Sequence, residues 1–348
     1  MNQTLNGIRR ILITILVAMG VGALFIVAIG ENPIDAYAAL FRGAFDGELR
    51  LGTTLAGFTP LLLTSIAFAV AGKAGAFNVG VEGEVFLGGI TAAYIGINWT
   101  FLPKPALYVA CFVGAMVVAA AWAFIPAVLR AYYNVNEVCT TILMNTVALY
   151  ITSYLVSGPM SAGTANAQSL PVTVRLYQFM KPSSVNVGIF IAAITVIVII
   201  FMLQKSSWGY KIRTVGLNPT HADYVGIDSK KVFVGAMMLS GMLGGMAGCI
   251  EVLGVHGYFL NNFATGLGSN GMLAALIVKN NMVSTPFMAF FLAVLKSGAM
   301  GMQQSTGVPK SLVDTITAVF IIIATMETAF QFTKKRKKKT EEKKEDKA

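Results

Sequence analysis

Charge is what this chain has least of: Asp, Glu, Lys and Arg make up 12% of its 348 residues, against about 25% in an ordinary soluble domain. With a mean hydropathy of +0.69, there is too little polar surface to face water, and a soluble oligomer is excluded. Cysteine is nearly as scarce. Cys111, Cys139 and Cys249 all sit in apolar runs with no metal-like or paired spacing, which argues against a disulfide framework or a zinc site and for simple packing. His221 and His256 fall in separate loops, too few and too far apart for a metal or catalytic cluster. A membrane enzyme would need a clustered nucleophile, base or metal site, and the sequence offers none. Also missing is any G-x-x-x-x-G-K-[ST] phosphate loop, so transport powered by ATP would need the nucleotide bound on another subunit.

What the chain does have is apolar runs. They lie at about 11–30, 51–71, 76–97, 105–129, 137–158, 185–204, 231–254, 266–279, 283–302 and 311–330. Runs of 18 or more residues with few charges can cross a hydrocarbon core about 30 Å thick. So many spans require helices, because barrel strands would be shorter and alternate in polarity. The first run follows Arg9 and Arg10, is too long for a typical signal-peptide core and lacks an A-x-A-like cleavage site, so it is read as a retained helix. The net charge of +10 comes largely from nine basic residues between Lys334 and Lys347, mixed with acidic ones. That pattern is a disordered, solvated tail near anionic headgroups rather than a nucleic-acid surface.

Short cytoplasmic loops retain Lys and Arg during insertion. With the N-terminus inside, inner segments hold 19 of the 26 basic residues and outer loops six. The expected fold is therefore an all-α polytopic membrane protein of about ten transmembrane helices, with both termini cytoplasmic. Five helices per half make the halves opposite in topology, the arrangement of inverted-repeat transporters.

The two halves share an interruption. The third segment is entered through GKAGAFNVGVEG, residues 72–83, and the eighth begins GLGSNG, residues 266–271. Glycine-broken segments at matching places point to a solute site at the interface of the halves, where free helix ends offer backbone donors and acceptors. GLGSNG also fits the dinucleotide fingerprint, but it follows no predicted strand and has no acidic residue about 20 positions on. Asn78 and Glu82 are four apart and are expected on one helix face, with Glu84 half a turn away. A charge at bilayer centre costs about 2.5 to 3.5 kcal/mol on insertion scales and so faces a protein interior or a cavity. Glu82 is accordingly either a lining of the solute path or a tie to a neighbouring helix. Gly241, Gly244, Gly245 and Gly248 recur at i, i+3, i+4 and i+7, a groove for close helix packing.

The inner loop 205–230 is basic, and its stretch from Pro219 to Gly226 reads as a short helix with Pro219 in the first turn. Together with FNVGVEGEVFLGG from Phe77, NEVCTTILMNTVALYITSYLVSGP from Asn136, SGMLGGMAGCIEVLG from Ser240 and GLGSNGMLAALIVKNN from Gly266, it makes the chain resemble the permease subunits of ribose-type and nucleoside-type ABC importers, relatives of the branched-chain amino acid permeases. NVGVEGE, NEV and YLVSGP are closer to the nucleoside or simple-sugar branch.

The resemblance implies a transmembrane permease domain over 1–330, containing the coupling loop 205–230, and a cytoplasmic tail over 331–348. It implies that His221, Ala222, Asp223 and Gly226 dock in an ATPase, although the family motif begins Glu-Ala-Ala where this chain has His-Ala-Asp. The expected substrate pathway runs past Asn78, Glu82, Asn145 and Asn270. The protein is expected in a prokaryotic cell membrane as a non-enzymatic transport subunit with no cofactor of its own, ATP being bound by its partner. Expected partners are an ABC ATPase, a second and different permease chain, an extracytoplasmic solute-binding lipoprotein, a small polar solute of nucleoside type, and membrane lipid, with no nucleic acid. The alternatives are a ribose-type sugar permease or an ion-coupled secondary transporter, the latter needing no ATPase and often carrying intramembrane Asp or His relays.

Overall fold

The computed structural model describes residues 19–307 together with 309, 311, 314, 315 and 318. The segment 311–330 lies mostly, and the basic tail 331–348 wholly, outside them. The described residues form α-helices α1 (Met19–Ile29), α2 (Pro33–Phe45), α3 (Gly47–Lys73), α4 (Val81–Asn98), α5 (Lys104–Tyr133), α6 (Glu137–Ser157), α7 (Gly188–Lys205), α8 (Ser207–Leu217), α9 (Pro219–Tyr224), α10 (Ser229–Ile250), α11 (Leu267–Ile277) and α12 (Thr285–Thr306), with a π-helical turn over Glu251–His256. Only isolated β-bridges accompany them among the described residues.

Six of these helices are long and apolar enough to cross a membrane, or up to seven if the bent pair α1 and α2 counts as one span. The all-α, multi-pass class is therefore what the helices give, while ten spans are not confirmed: the described residues supply six or seven, and the expected segments 11–30 and 311–330 lie partly and mostly outside them. The physical reasons are local. α4 carries Glu82 and Glu84 in its first turn, and α11, with 11 residues, is only about 16 Å long at 1.5 Å per residue. α2 falls where an outer loop was expected. Pro33 supplies the fixed φ of a helix start, and Asn32 Oδ1 accepts from Ile34 N–H at 3.0 Å, so the helix nucleates without a long apolar run.

The chain divides into two compact units, residues 45–294 and residues 1–44 with 295–348. In the smaller, Ile26, Ala36, Leu40, Ala299 and Met302 form a buried cluster. Gly43 lies so near Gly298 that a Cβ there would stand 2.8 Å from the Gly298 carbonyl oxygen.

The larger unit is organised by α10. Four of its glycines, Gly241, Gly244, Gly245 and Gly248, serve two neighbours at once: a Cβ at Gly241 or Gly245 would stand 2.7 or 2.5 Å from the carbonyls of Ala119 and Ala115 on α5, and one at Gly248 would stand 2.0 Å from the Val85 carbonyl on α4. A Cβ at Gly88 of α4 would likewise stand 2.4 Å from the Gly245 Cα. At these glycines backbone approaches backbone beside the small methyls of Ala119 and Ala123, the small-residue packing by which helices associate where no hydrophobic force drives them together. The core cluster of this unit, including Phe68, Phe86, Leu243 and Ile250, grows around that contact.

At the far end of α10 the π turn leaves carbonyls pointing outward, and the long connection from 158 to 187 satisfies them. Leu176 N–H donates to Leu253 O at 2.9 Å, Val172 N–H to Gly257 O at 2.9 Å and Gln178 Nε2 to Gly254 O at 2.8 Å. The loop is thus held by α10's own unspent acceptors.

Adding one methyl at this contact should be felt. Gly248→Ala is expected to destabilise the detergent-purified protein by about 1 to 3 kcal/mol, the range for overpacking, and to lower its melting temperature. Gly57→Ala, on α3 with no atom within 4 Å of the new methyl, should leave the melting temperature unchanged or slightly raised.

Candidate functional site

The two glycine-rich segments meet. Gly268, in the first turn of α11, packs on Glu82 in the first turn of α4 so closely that a Cβ would lie 2.5 Å from the Glu82 nitrogen. Both helices start on glycine, Gly80 and Gly266, and neither has a side-chain cap from its own N-cap residue. Two positive helix ends therefore face one region of the larger unit. From α3, Thr64 Oγ1 reaches the Leu267 carbonyl at 3.3 Å, and Gly271 presses on Thr64, which fixes α11 in place.

Asn78 and Glu82 do not share a helix face as the spacing suggested, because α4 begins only at Val81 and Asn78 lies in the turn before it. Asn78 is 1% exposed and fully employed. Its Oδ1 accepts from Gly80 N–H at 2.9 Å, and its Nδ2 donates to Glu84 Oε1 at 2.9 Å and to Ser240 Oγ on α10 at 2.9 Å. Glu84 Oε2 is buried against Gly244 with no hydrogen-bond partner. Asn145 of α6 acts as a cap supplied from a neighbouring helix: its Oδ1 accepts from Gly83 N–H at 2.8 Å and its Nδ2 donates to Val79 O at 2.9 Å. Both asparagines thus hold the turn that aims α4.

Glu82 is only partly buried, and its Oε2 accepts from Ser269 Oγ at 3.3 Å. The side chain of Asn270 folds back on the Gly266 carbonyl, so the two helix starts touch although no hydrogen bond joins Glu82 to Asn270. Ser269, Ser240 and Thr64 were not anticipated as members of the site. A hydroxyl in an apolar helix is so often bonded to its own backbone that its spacing carries no signal.

The loop 205–230 folds as two helices. Ser206 caps α8 by accepting from Gly209 N–H at 3.0 Å, and Asn218 caps α9 by accepting from His221 N–H at 3.0 Å. α8 is pressed on the end of α3, where a Cβ at Gly216 would meet the Lys73 carbonyl at 2.0 Å. Ala222 is fully buried and faces the protein's own interior, and its carbonyl accepts from Ile227 N–H at 2.9 Å. Asp223 grips the start of α10, its two oxygens accepting from Ser229 N–H and Oγ, each at 2.9 Å. Gly226 has φ +81° with nothing near its absent side chain, so it is there for its left-handed backbone. Hydrogen bonds from Lys231 N–H and Nζ hold the Asp228 carboxyl below the usual carboxylate range.

Among the polar residues exposed on this platform, such as His221 and Asp223, stand three large apolar side chains: Leu217 is 89% exposed, Tyr224 86% and Val225 54%. The signal for it was present in the sequence, a Leu-Asn-Pro start placing an apolar residue just outside a capped turn, but it was indistinguishable from an ordinary buried staple. Among the described residues no group of three or more His, Cys, Asp or Glu side chains could hold a metal ion.

Residues 50–325 match a family described as branched-chain amino acid transport system / permease component. The chain is 33% identical over 337 residues to the guanosine ABC transporter permease protein NupP of Bacillus subtilis (strain 168), covering 94% of this chain and 96% of that protein. It is 32% identical over 323 residues to the glucose ABC transporter permease protein TsgB13 of Haloferax volcanii, covering 89% and 85%. To the nucleoside ABC transporter permease protein NupB of Lactococcus lactis subsp. cremoris (strain MG1363) it is 30% identical over 335 residues, covering 92% and 91%.

Asn78, which holds the buried Glu84, and the partly buried Glu82 should separate on mutation. Asn78→Ala strands the Glu84 carboxyl and the Ser240 hydroxyl in the interior, at about 1 to 3 kcal/mol per unsatisfied group, and should sharply lower the melting temperature and the folded yield. Glu82→Gln, at a partly exposed side chain that keeps an acceptor for Ser269, should melt within a degree or so of wild type. Equal losses in the two variants would refute this division.

Proposed function

The chain belongs to the branched-chain amino acid transport system / permease component family, and on that premise we propose that it is the membrane-spanning permease of an ABC importer that moves a nucleoside by alternating access, driven by ATP bound on a separate ATPase subunit. The observation that carries the solute class is a likeness over nearly the whole chain to relatives named for guanosine and for nucleosides. A glucose permease among the relatives makes a sugar the natural comparison.

In this reading the solute passes the paired starts of α4 and α11. Glu82 and Asn270 lie near it, while Asn78 and Asn145 keep the α4 turn in place behind them. Two positive helix ends and one carboxylate suit a polar, uncharged ligand rich in hydroxyl and ring nitrogen atoms, which needs both acceptors and donors. The ATPase docks on the apolar surface of Leu217, Tyr224 and Val225, with His221 beside them. Ala222 and Asp223 anchor that surface to the permease, and Gly226 lets the chain turn back into α10. Motion at the platform reaches the spans by two contacts already described, Asp223 on the start of α10 and Gly216 on the end of α3. ATP favours one state of the pair by binding it better. A second permease chain and a solute-capturing lipoprotein complete the assembly.

Ten spans in two inverted halves, both termini inside, remain the topology that accounts for the distribution of Lys and Arg. In a Cys139→Ser background, which removes the exposed native thiol, cysteines placed at Asp46 and at Lys211 should label from opposite faces of intact cells. Labelling of both from one face overturns that topology.

The function is tested on the assembled complex, purified through a tag on the ATPase and reconstituted in vesicles. Nucleosides are expected to be taken up and to stimulate ATP hydrolysis, and glucose is not. Uptake of glucose alone would replace the solute class, and failure of the permease to co-purify with the tagged ATPase would remove the ABC reading. Glu82→Gln should lower uptake at least tenfold with the complex intact. Leu217→Asp combined with Tyr224→Asp should abolish recovery of the permease with the ATPase, without changing the melting temperature of the isolated chain.

A further inference from the structure

A cavity of about 430 Å3 opens where α3, α7 and α8 end or begin, with Lys73, Leu203, Lys205, Arg213, Asn281 and Met282 in its wall. Its volume falls in the range of about 300 to 1,000 Å3 typical of small-ligand pockets. Lys73 is the last residue of α3 and Lys205 the last of α7, and both helices are long enough to cross a membrane. The cavity therefore sits where two spans end. Arg213 comes from α8 and is steered inward by an Nη2 hydrogen bond to the Gln204 carbonyl at 3.4 Å.

Its chemistry is one-sided. Lys73 and Arg213 are near enough to repel one another, and among the described residues none of the three cations is ion-paired with a carboxylate. Asn281 spends its Oδ1 on the N–H groups of Val283 and Ser284, at 3.0 and 3.3 Å, so its Nδ2 is what remains to offer. The charged lining is thus wholly cationic, with Gln204 and Asn281 as its neutral polar residues, an arrangement that favours the entry of an anion. Leu203 and Met282, at 1% and 5% exposure, close the floor of the cavity beneath the cations. Because the cavity lies where two spans end, the anion at hand is a lipid headgroup at the membrane surface. Basic pockets between helices at a membrane surface are suited to such headgroups.

We propose that this cavity binds the phosphodiester headgroup of an anionic phospholipid, with Lys73, Lys205 and Arg213 on the phosphate oxygens. Occupancy ties α8, which runs directly into the α9 platform, to the ends of α3 and α7. The lipid is then a structural ligand of the segment that carries the exposed apolar surface, and the site holds whichever solute the protein moves.

The test uses the full chain in detergent, incubated with phosphatidylglycerol, with phosphatidylcholine as the neutral control, or with inorganic phosphate, and bound molecules are counted by native mass spectrometry. Phosphatidylglycerol should be retained in preference to phosphatidylcholine. The triple variant Lys73→Gln, Lys205→Gln, Arg213→Gln should lower retention more than tenfold. Arg213→Gln alone, a change at an exposed side chain that spares folding if the triple variant does not, should lower it about fivefold, the effect of one basic residue at a lipid surface. A charge-matched variant, Lys211→Gln with Lys230→Gln and Lys279→Gln, removes three exposed cations outside the cavity and should retain the lipid. Equal retention of the two lipids, or equal loss in the charge-matched variant, overturns the proposal. Phosphate bound in place of phosphatidylglycerol overturns the lipid as its source.

Discussion

Everything in the larger unit is arranged around the approach of α10 to α4 and α5 through glycine. With hydrogen as the only side chain at Gly241, Gly244, Gly245 and Gly248, α10 presents one pair of glycines to α5 and the other to α4. This approach brings Ser240 within reach of Asn78. Because Asn78 also governs the turn into α4 and bonds Glu84, backbone packing in the centre fixes the direction of a helix start some turns away. The site is a consequence of how tightly the core closes.

The two ends of the chemistry are built differently. At the start of α4 and α11, positions are set by buried hydrogen bonds between neighbouring helices, whose loss leaves polar groups stranded in an apolar interior. At the α8 and α9 platform, most bonds are local caps: Ser206, Asn218, Asp223 and Asp228 each close a nearby turn. A platform made of short, self-capped helices keeps its shape while large apolar side chains project from it, which is what a surface meant to meet a partner needs.

Legibility in the sequence followed the range of the interaction. The apolar runs near 51–71, 105–129 and 185–204 became α3, α5 and α7 because length and hydropathy are summed over many residues and survive local exceptions. The Asn-Pro start of α9 was readable because capping is decided within four residues. The glycine stripe on α10 was readable as a packing groove, but which neighbour each glycine meets was not, since that depends on residues over a hundred positions distant. Near the site the spacing misled: counting four from Asn78 to Glu82 assumed a helix that starts only at Val81, and the true partner of Asn78 is Glu84. Asn145 escaped detailed reading for the same reason, its two bonds reaching back 62 and 66 residues. α2 was missed because its apolar content is too short to stand out and its Pro33 start resembles a loop.

The close approach of α10 to α4 and α5 at its glycines has a mechanical meaning. Interfaces of interlocked side chains can slide by exchanging rotamers, a small shear spread over many contacts. Where carbonyl oxygens lie against glycine α-carbons there is no rotamer to exchange, and any slide would drive backbone into backbone. Along this stripe the helices resist sliding past one another, and give is easier where longer side chains interlock, away from the glycines.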